Sequence, residues 1–262
     1  MFETRGRTGR VVLQLALTLM IIPFAYPLVE MVRGSLVGDG IGNYVAVLTR
    51  PELPLFFRNS IIISAGTIVV VYVCTMLAAF GFSKLRVRAR ELLFWMLLIC
   101  LTLPEVVLIA PLFVTSLTLG LYNTYAAVIL PMAALQIPFA VLLARTFVDG
   151  IPNQLLEAAR VDGASAFQSF LHVILPLTKP IAATIIVLSF IGSWNAYLLP
   201  LVFLTDADSQ TITLLPQFFI GEFSYDQTKV LASSVVSALP EVVAYICLQR
   251  FFERGLAAGA IK

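Results

Sequence analysis

The chain has 262 residues, of which 60% are hydrophobic and 12% charged. Soluble domains average about 25% charged residues, and a fold of this length could not hide so much apolar surface from water, so the composition excludes an ordinary soluble enzyme or binding domain. A net charge of +2 gives no nucleic-acid footprint, and three cysteines (Cys74, Cys100 and Cys247) without a CxxC spacing predict free thiols and no disulfide framework.

A helix across the hydrocarbon core needs roughly 20 apolar residues. The first such run, 11–32, follows Arg5, Arg7 and Arg10 as a signal peptide would. It is longer than a signal core and no small-residue cleavage site ends it, so it reads as a retained span. Further spans are predicted at 60–82, 91–119, 124–144, 180–204 and 230–248. Backbone groups in lipid must bond within the chain, so all six are expected to be helices, and the strict alternation of a barrel is absent. The expected fold is an all-α polytopic membrane protein with one domain over residues 1–262.

Several polar residues lie inside these spans, where they are costly and face a cavity, a partner or a pathway. Glu105 follows Pro104 in the third, and Glu241 follows Pro240 in the sixth. Gln136 stands beside Ile137 and Pro138 in the fourth; Trp194, Asn195 and Tyr197 sit in the fifth. Each is a candidate for the translocation pathway, with helix–helix bonding as the alternative, above all for Asn195. His172 is the only histidine, so no metal site is expected, and no catalytic residue is assigned.

Orientation follows from the connections. With the N-terminus in the cytoplasm, thirteen of the seventeen Lys and Arg fall inside, and Arg33, Arg50, Arg58 and Lys229 fall outside. Both termini are then cytoplasmic. The link at 120–123 makes an outside hairpin, and the long link at 145–179 is cytoplasmic.

That long link reads DGIPNQLLEAARVDGASAFQSFLHVILPLTKP over 149–180. Pro152 suits a first helical turn. Residues 154–161 are good helix formers, and Gly163 can take a left-handed turn after Asp162. Ser165 can cap a second short helix over 166–173, and Pro176 and Pro180 are expected to break the chain before the fifth span. Glu157 could pair with Arg160 three residues on. Ala158, Ala159 and Gly163 leave little bulk, which suits close approach by another surface.

Glu157, Ala158 and Ala159, then Gly163, then Val173, Ile174, Leu175 and Pro176, resemble the EAA loop of bacterial ABC importer permeases, with Val173 in place of Ile. The run from Ser193 through Trp194 and Asn195 to Pro200 looks like a segment of carbohydrate-uptake permeases. The C-terminal stretch 249–262 is similar to the tail of the smaller permease in maltose-type pairs. The resemblance implies a type I ABC importer permease fold in a bacterial cell membrane. It implies coupling to an ATPase through Glu157, Ala158, Ala159, Asp162, Gly163 and Ala164, and contact of the tail with the ATPase. It further implies a second permease, two ATPase subunits that carry ATP and Mg, and an extracytoplasmic solute-binding protein. No cofactor is expected on this chain itself.

Two other classes fare worse. A membrane-embedded enzyme finds no HExxH, GxSxG or DDxxD in the sequence. A secondary transporter has no use for a docking loop. No Lys or Arg lies inside any span, and the deep ionisable groups are Glu105 and Glu241, so the solute is expected to be a neutral or amino sugar. The alternative is glycerol phosphate or another polyol derivative.

Overall fold

Apolar runs too long for a soluble core become helices in this computed structural model, which describes residues 7–221 and 225–260. Arg5, Glu222 and Lys262, together with the side chains of Arg7 and of the tail motif from Arg250 onward, lie outside the described residues. In chain order the α-helices are α1 (Arg7–Ser35), α2 (Ile41–Leu48), α3 (Leu53–Lys84), α4 (Arg90–Ile99), α5 (Glu105–Thr118) and α6 (Tyr125–Asp149). They continue as α7 (Gln154–Val161), α8 (Ala166–Ser169), α9 (Leu175–Leu177), α10 (Lys179–Trp194), α11 (Leu198–Phe203) and α12 (Gln227–Ala260). Four segments are long and apolar enough to cross a membrane alone: Gly9–Ser35, Leu53–Lys84, Tyr125–Asp149 and Gln227–Cys247. They cover the first, second, fourth and sixth expected spans.

The third span is not one straight helix. Arg90–Thr102 and Glu105–Thr118 meet at 104°. Pro104 has no amide hydrogen to donate, and Leu103 before it is extended at ψ 116°, as the residue preceding a proline prefers. Glu105 therefore opens a new helix and does not sit in the middle of one.

The fifth span also departs from the expectation. α10 stops at Trp194, three residues are non-helical, and α11 restarts at Leu198, so Trp194, Asn195 and Tyr197 flank a break. A continuous helix would need the missing amide hydrogen of Pro200 to bond the Ala196 carbonyl. That carbonyl instead accepts from Thr213 Oγ1 at 2.8 Å. Ahead of this break, Ala166–Leu177 and Lys179–Trp194 meet at 78°. The turn falls on buried Thr178; Pro176 lies inside the continuous helical run Ala166–Leu177 and does not break it, whereas Pro180 stands in the first turn of α10. Counting each bent pair as one span gives up to six.

The chain divides into two compact units. The first joins Met1–Leu53 with Leu215–Ala238. In it, Asn43 donates to the Ser35 and Val37 carbonyls, both at 2.9 Å, which closes the turn between α1 and α2. Arg50 lies over the Phe218 and Phe219 rings, 5.3 and 5.0 Å from their centres. Asp226 caps α12 by accepting from Thr228 Oγ1 and the Lys229 amide.

The second unit, Pro54–Leu214 with Leu239–Lys262, holds two apolar clusters. One gathers Met76 and Phe80 of α3, Val148 of α6, Leu156 of α7, and Phe170, Ile174 and Ile185 around the long loop. The other gathers Ile63, Val128, Met132, Leu199 and Phe203 towards the opposite end of α3. The hairpin turn at 120–123 is locked to the chain after α11. Asn123, at φ +60°, donates to the Asp206 carboxylate and accepts from the Thr205 and Asp206 amides.

Candidate functional site

The long loop folds as two short helices set at a tight turn. α7 buries Leu156 in the cluster around Phe80 and Phe170 and leaves Leu155, Ala158 and Val161 exposed. It ends because Gly163 takes φ +83°, which brings the Ala164 amide onto the Ala159 carbonyl at 2.9 Å. A Cβ at Gly163 would meet nothing within 4 Å, so the backbone angle alone demands glycine there. Ser165 then opens α8 with a reciprocal capping box to Gln168. Beyond it the chain widens into a π-helical turn over Phe170–Ile174. Pro152 lies just ahead of α7, which begins at Gln154. Among the described residues Glu157 and Arg160 form no ion pair. Both line a cavity of about 460 Å³ with Lys84, Arg86 and Arg90.

The motif residues divide over two surfaces. Ala159, Asp162, Gly163 and Ala164 line one groove of about 340 Å³, closed on its far side by Gln168 and His172. The His172 ring Nδ1 lies 3.0 Å from the Gln168 carbonyl, a local contact that agrees with a structural role. Glu157 opens onto the basic cavity instead, and Ala158 is exposed between the two.

A second site forms where the two broken spans face α6. Glu105, Gln136, Asn195 and Tyr197 line a cavity of about 420 Å³ together with Met132 and Gly192. Gly192 makes room for the amide: a Cβ there would stand 3.2 Å from Gln136 Nε2. Gln136 Oε1 is buried without a hydrogen-bond partner. Asn195 Nδ2 donates to Glu241 Oε1 at 2.7 Å, so Glu241 reaches the site through Asn195. Trp194 does not line the cavity; it is 3% exposed and stacks between Phe190 and Phe57, at 5.5 and 6.2 Å.

Sequence reasoning missed the side chains that fasten the helix ends next to the long loop. Lys84 Nζ donates to the Ile151 carbonyl at 2.6 Å and to Asn153 Oδ1 at 3.0 Å. Arg145 pairs with Glu91 at 2.6 Å, reaches Asp149 at 3.7 Å, and lies 4.0 Å over the Phe94 ring. In the sequence these cations served only as markers of the inner face. Among the described residues no group of three or more His, Cys, Asp or Glu could hold a metal ion.

Up to six long apolar helical segments, two of them bent, define a polytopic membrane protein. The family model for the inner membrane component of binding-protein-dependent transport systems matches residues 72–257, and the chain belongs to that family. It is a non-catalytic ABC importer permease. The trehalose/maltose transport system permease protein MalG of Thermococcus litoralis is 31% identical, with 97% of each chain covered. The sn-glycerol-3-phosphate transport system permease protein UgpE of Shigella flexneri is 36% identical over 83% of this chain and 76% of its own. In three dimensions, a chain of a bacterial ABC transporter involved in the import of the acidic polysaccharide alginate superposes with a TM-score of 0.79 at 22% identity, covering 96% of this chain and 99% of that one. At that identity the match carries the fold.

Proposed function

We propose that this chain is one of two permease subunits in an ATP-driven sugar importer of the bacterial inner membrane, with both termini cytoplasmic and residues 1–262 acting as one permease domain. A second permease, two ATPase subunits holding ATP and Mg, and an extracytoplasmic solute-binding protein complete it. The observation that carries the reading is the long loop. Its small motif residues Ala159, Asp162, Gly163 and Ala164 line an open groove, with Val161 88% exposed beside them. A surface of that kind, held on a buried Leu156, is built to receive a partner. Glu157 and Ala158 extend it. When ATP closes the ATPase dimer, the docked loop passes the motion to the spans.

The solute crosses beside Glu105, Gln136, Asn195 and Tyr197, with Trp194 and Glu241 supporting them. Sugar relatives such as MalG favour a di- or oligosaccharide. The cavity has no Lys or Arg and carries an unpartnered amide oxygen and a carboxylate. Acceptors of this kind suit hydroxyl or ammonium donors, so a neutral or amino sugar is preferred. UgpE, named for a phosphate ester, marks the competing reading. Uptake by the assembled complex decides between them. Maltose or glucosamine should compete with the solute of the co-purified binding protein; competition by glycerol 3-phosphate alone would reverse the assignment. Failure of any ATPase subunit to co-purify would remove the importer reading itself.

A further inference from the structure

α3 ends in a half-buried lysine that is tied to the chain after α6. Lys84 Nζ crosses 67 positions of chain to donate to the Ile151 carbonyl at 2.6 Å and to Asn153 Oδ1 at 3.0 Å. Both acceptors lie in the four residues between α6 and α7, the segment from which the docking loop departs. One turn earlier on the same helix, Phe80 meets Phe170 with ring centres 5.3 Å apart, and Phe170 lies in the π-helical turn by which the loop returns. The last turn of α3 therefore holds the loop at both ends: by charge-assisted hydrogen bonds where it leaves, and by ring contact where it returns. Ile151 and Leu156, 8% and 5% exposed, fill the space between with Met76 and Ala79 of α3.

The two grips differ in kind. Apolar contact is non-directional and tolerates sliding. Hydrogen bonds from an ammonium to a carbonyl and an amide oxygen fix distance and direction, and are among the stronger bonds in a protein. A displacement of α7 along or across the membrane surface can slip past Phe80 but pulls on Lys84. The carbonyl of Ile151 is a backbone group, so the pull acts on the chain itself and not on a side chain that could swing.

We infer that Lys84 is a positioning residue of the transport cycle: it transmits movement of the docking loop to α3. The inference rests on the reading that this loop receives the ATPase. Arg88, exposed on the same connection, carries equal charge and reaches neither acceptor, which makes it the control for charge alone.

The test uses the whole transporter, with partner permease, ATPase and binding protein, in lipid nanodiscs. Hydrogen exchange is followed with and without a non-hydrolysable ATP analogue and Mg. In the unsubstituted complex, the analogue should change protection both at 150–178 and in the lower half of α3. Lys84→Met should keep the change in the loop and lose it in α3, with ATPase co-purification within about twofold and uptake reduced roughly tenfold or more, the size expected for losing a charge-assisted bond. Asn153→Leu should weaken the α3 response in the same sense, Lys84→Arg should restore most of it, and Arg88→Met should change nothing. The inference is overturned if α3 responds normally in Lys84→Met, if the loop response vanishes along with it, if Arg88→Met reproduces the loss, or if α3 never responds in the unsubstituted complex. Absence of ATPase from the unsubstituted preparation would strike the docking reading instead.

Discussion

The side-chain amide of Asn195 donates to the Glu241 carboxylate at 2.7 Å, joining the break in the fifth span to the last helix. An amide facing a carboxylate in this setting satisfies two groups that would each be costly alone. Asn195→Asp would place two carboxylates at that distance. It should lower the detergent melting temperature and uptake together, whereas Glu241→Gln, which keeps an acceptor, should be much milder. Equal effects of the two substitutions would show that the bond does not organise the site.

Gly192 stands where a Cβ would come within 3.2 Å of Gln136 Nε2. Gly192→Ala asks the amide to shift by a few tenths of an ångström, and Gly192→Leu projects a side chain into the cavity. We expect uptake to fall modestly for the first and by more than tenfold for the second, with ATPase co-purification unchanged for both. Normal uptake by the leucine variant would take the solute path elsewhere.

Gly163 tests the loop by backbone alone. At φ +83°, with open space around a would-be Cβ, a β-branched residue meets no clash but carries left-handed strain, of order 1–2 kcal/mol or more. Gly163→Val should therefore leave the protein in the membrane while reducing ATPase recruitment and abolishing uptake. Gly163→Asn, which tolerates this conformation better, should retain part of both. The ratio of ATPase to permease after purification gives the answer.

Asp226 gives a pH dependence outside the spans. Hydrogen bonds from the Lys229 ammonium, the Thr228 hydroxyl and the Lys229 amide hold its carboxyl down at about 2, against an ordinary 3.8. A depressed folded-state pKa contributes stability that is fully present above 3.8 and is lost as pH falls through about 2. Amide protection in the first turn of α12, taken relative to the intrinsic exchange rate at each pH, should thus fall on acidification across that window. In Asp226→Asn the exchange should already be faster at neutral pH and should lose this dependence.

Much of this was legible in the sequence, and the failures have a common cause. Long apolar runs predict the helices, because lipid leaves few alternatives. Gly163 and Ser165 gave the loop, because a left-handed turn and a capping box are local chemistry. Hydropathy marks the extent of the third and fifth spans but does not register backbone continuity, so it does not place their breaks. Pro104 and Pro200 were in view, but what they do to the helix depends on whether another group satisfies the freed carbonyl, as Thr213 does for Ala196. Lys84 and Arg145 were invisible as fasteners, since their partners lie 67 and 54 residues away. Gln136 and Asn195 were singled out for polarity alone; only the fold brings them to one cavity with Glu105.

Arg145 separates geometry from charge. Its side chain is 13% exposed, paired with Glu91 and Asp149 and laid on the Phe94 ring, so it ties the first half of the broken third span to α6. Glu91 is 54% exposed, so water screens its ion pair with Arg145. Stacking of a largely desolvated guanidinium on an aromatic face adds up to about 2 kcal/mol, and a lysine ammonium cannot reproduce the flat contact and the forked bonds together. Glu91→Gln should accordingly cost little, Arg145→Lys more, and Arg145→Leu most, since it loses the ring contact and both carboxylates at once. Melting temperatures of the purified proteins in one detergent would rank the three. A lysine variant as stable as the unsubstituted protein would mean that positive charge at this position, and not the stacked geometry, is what holds α4 in place.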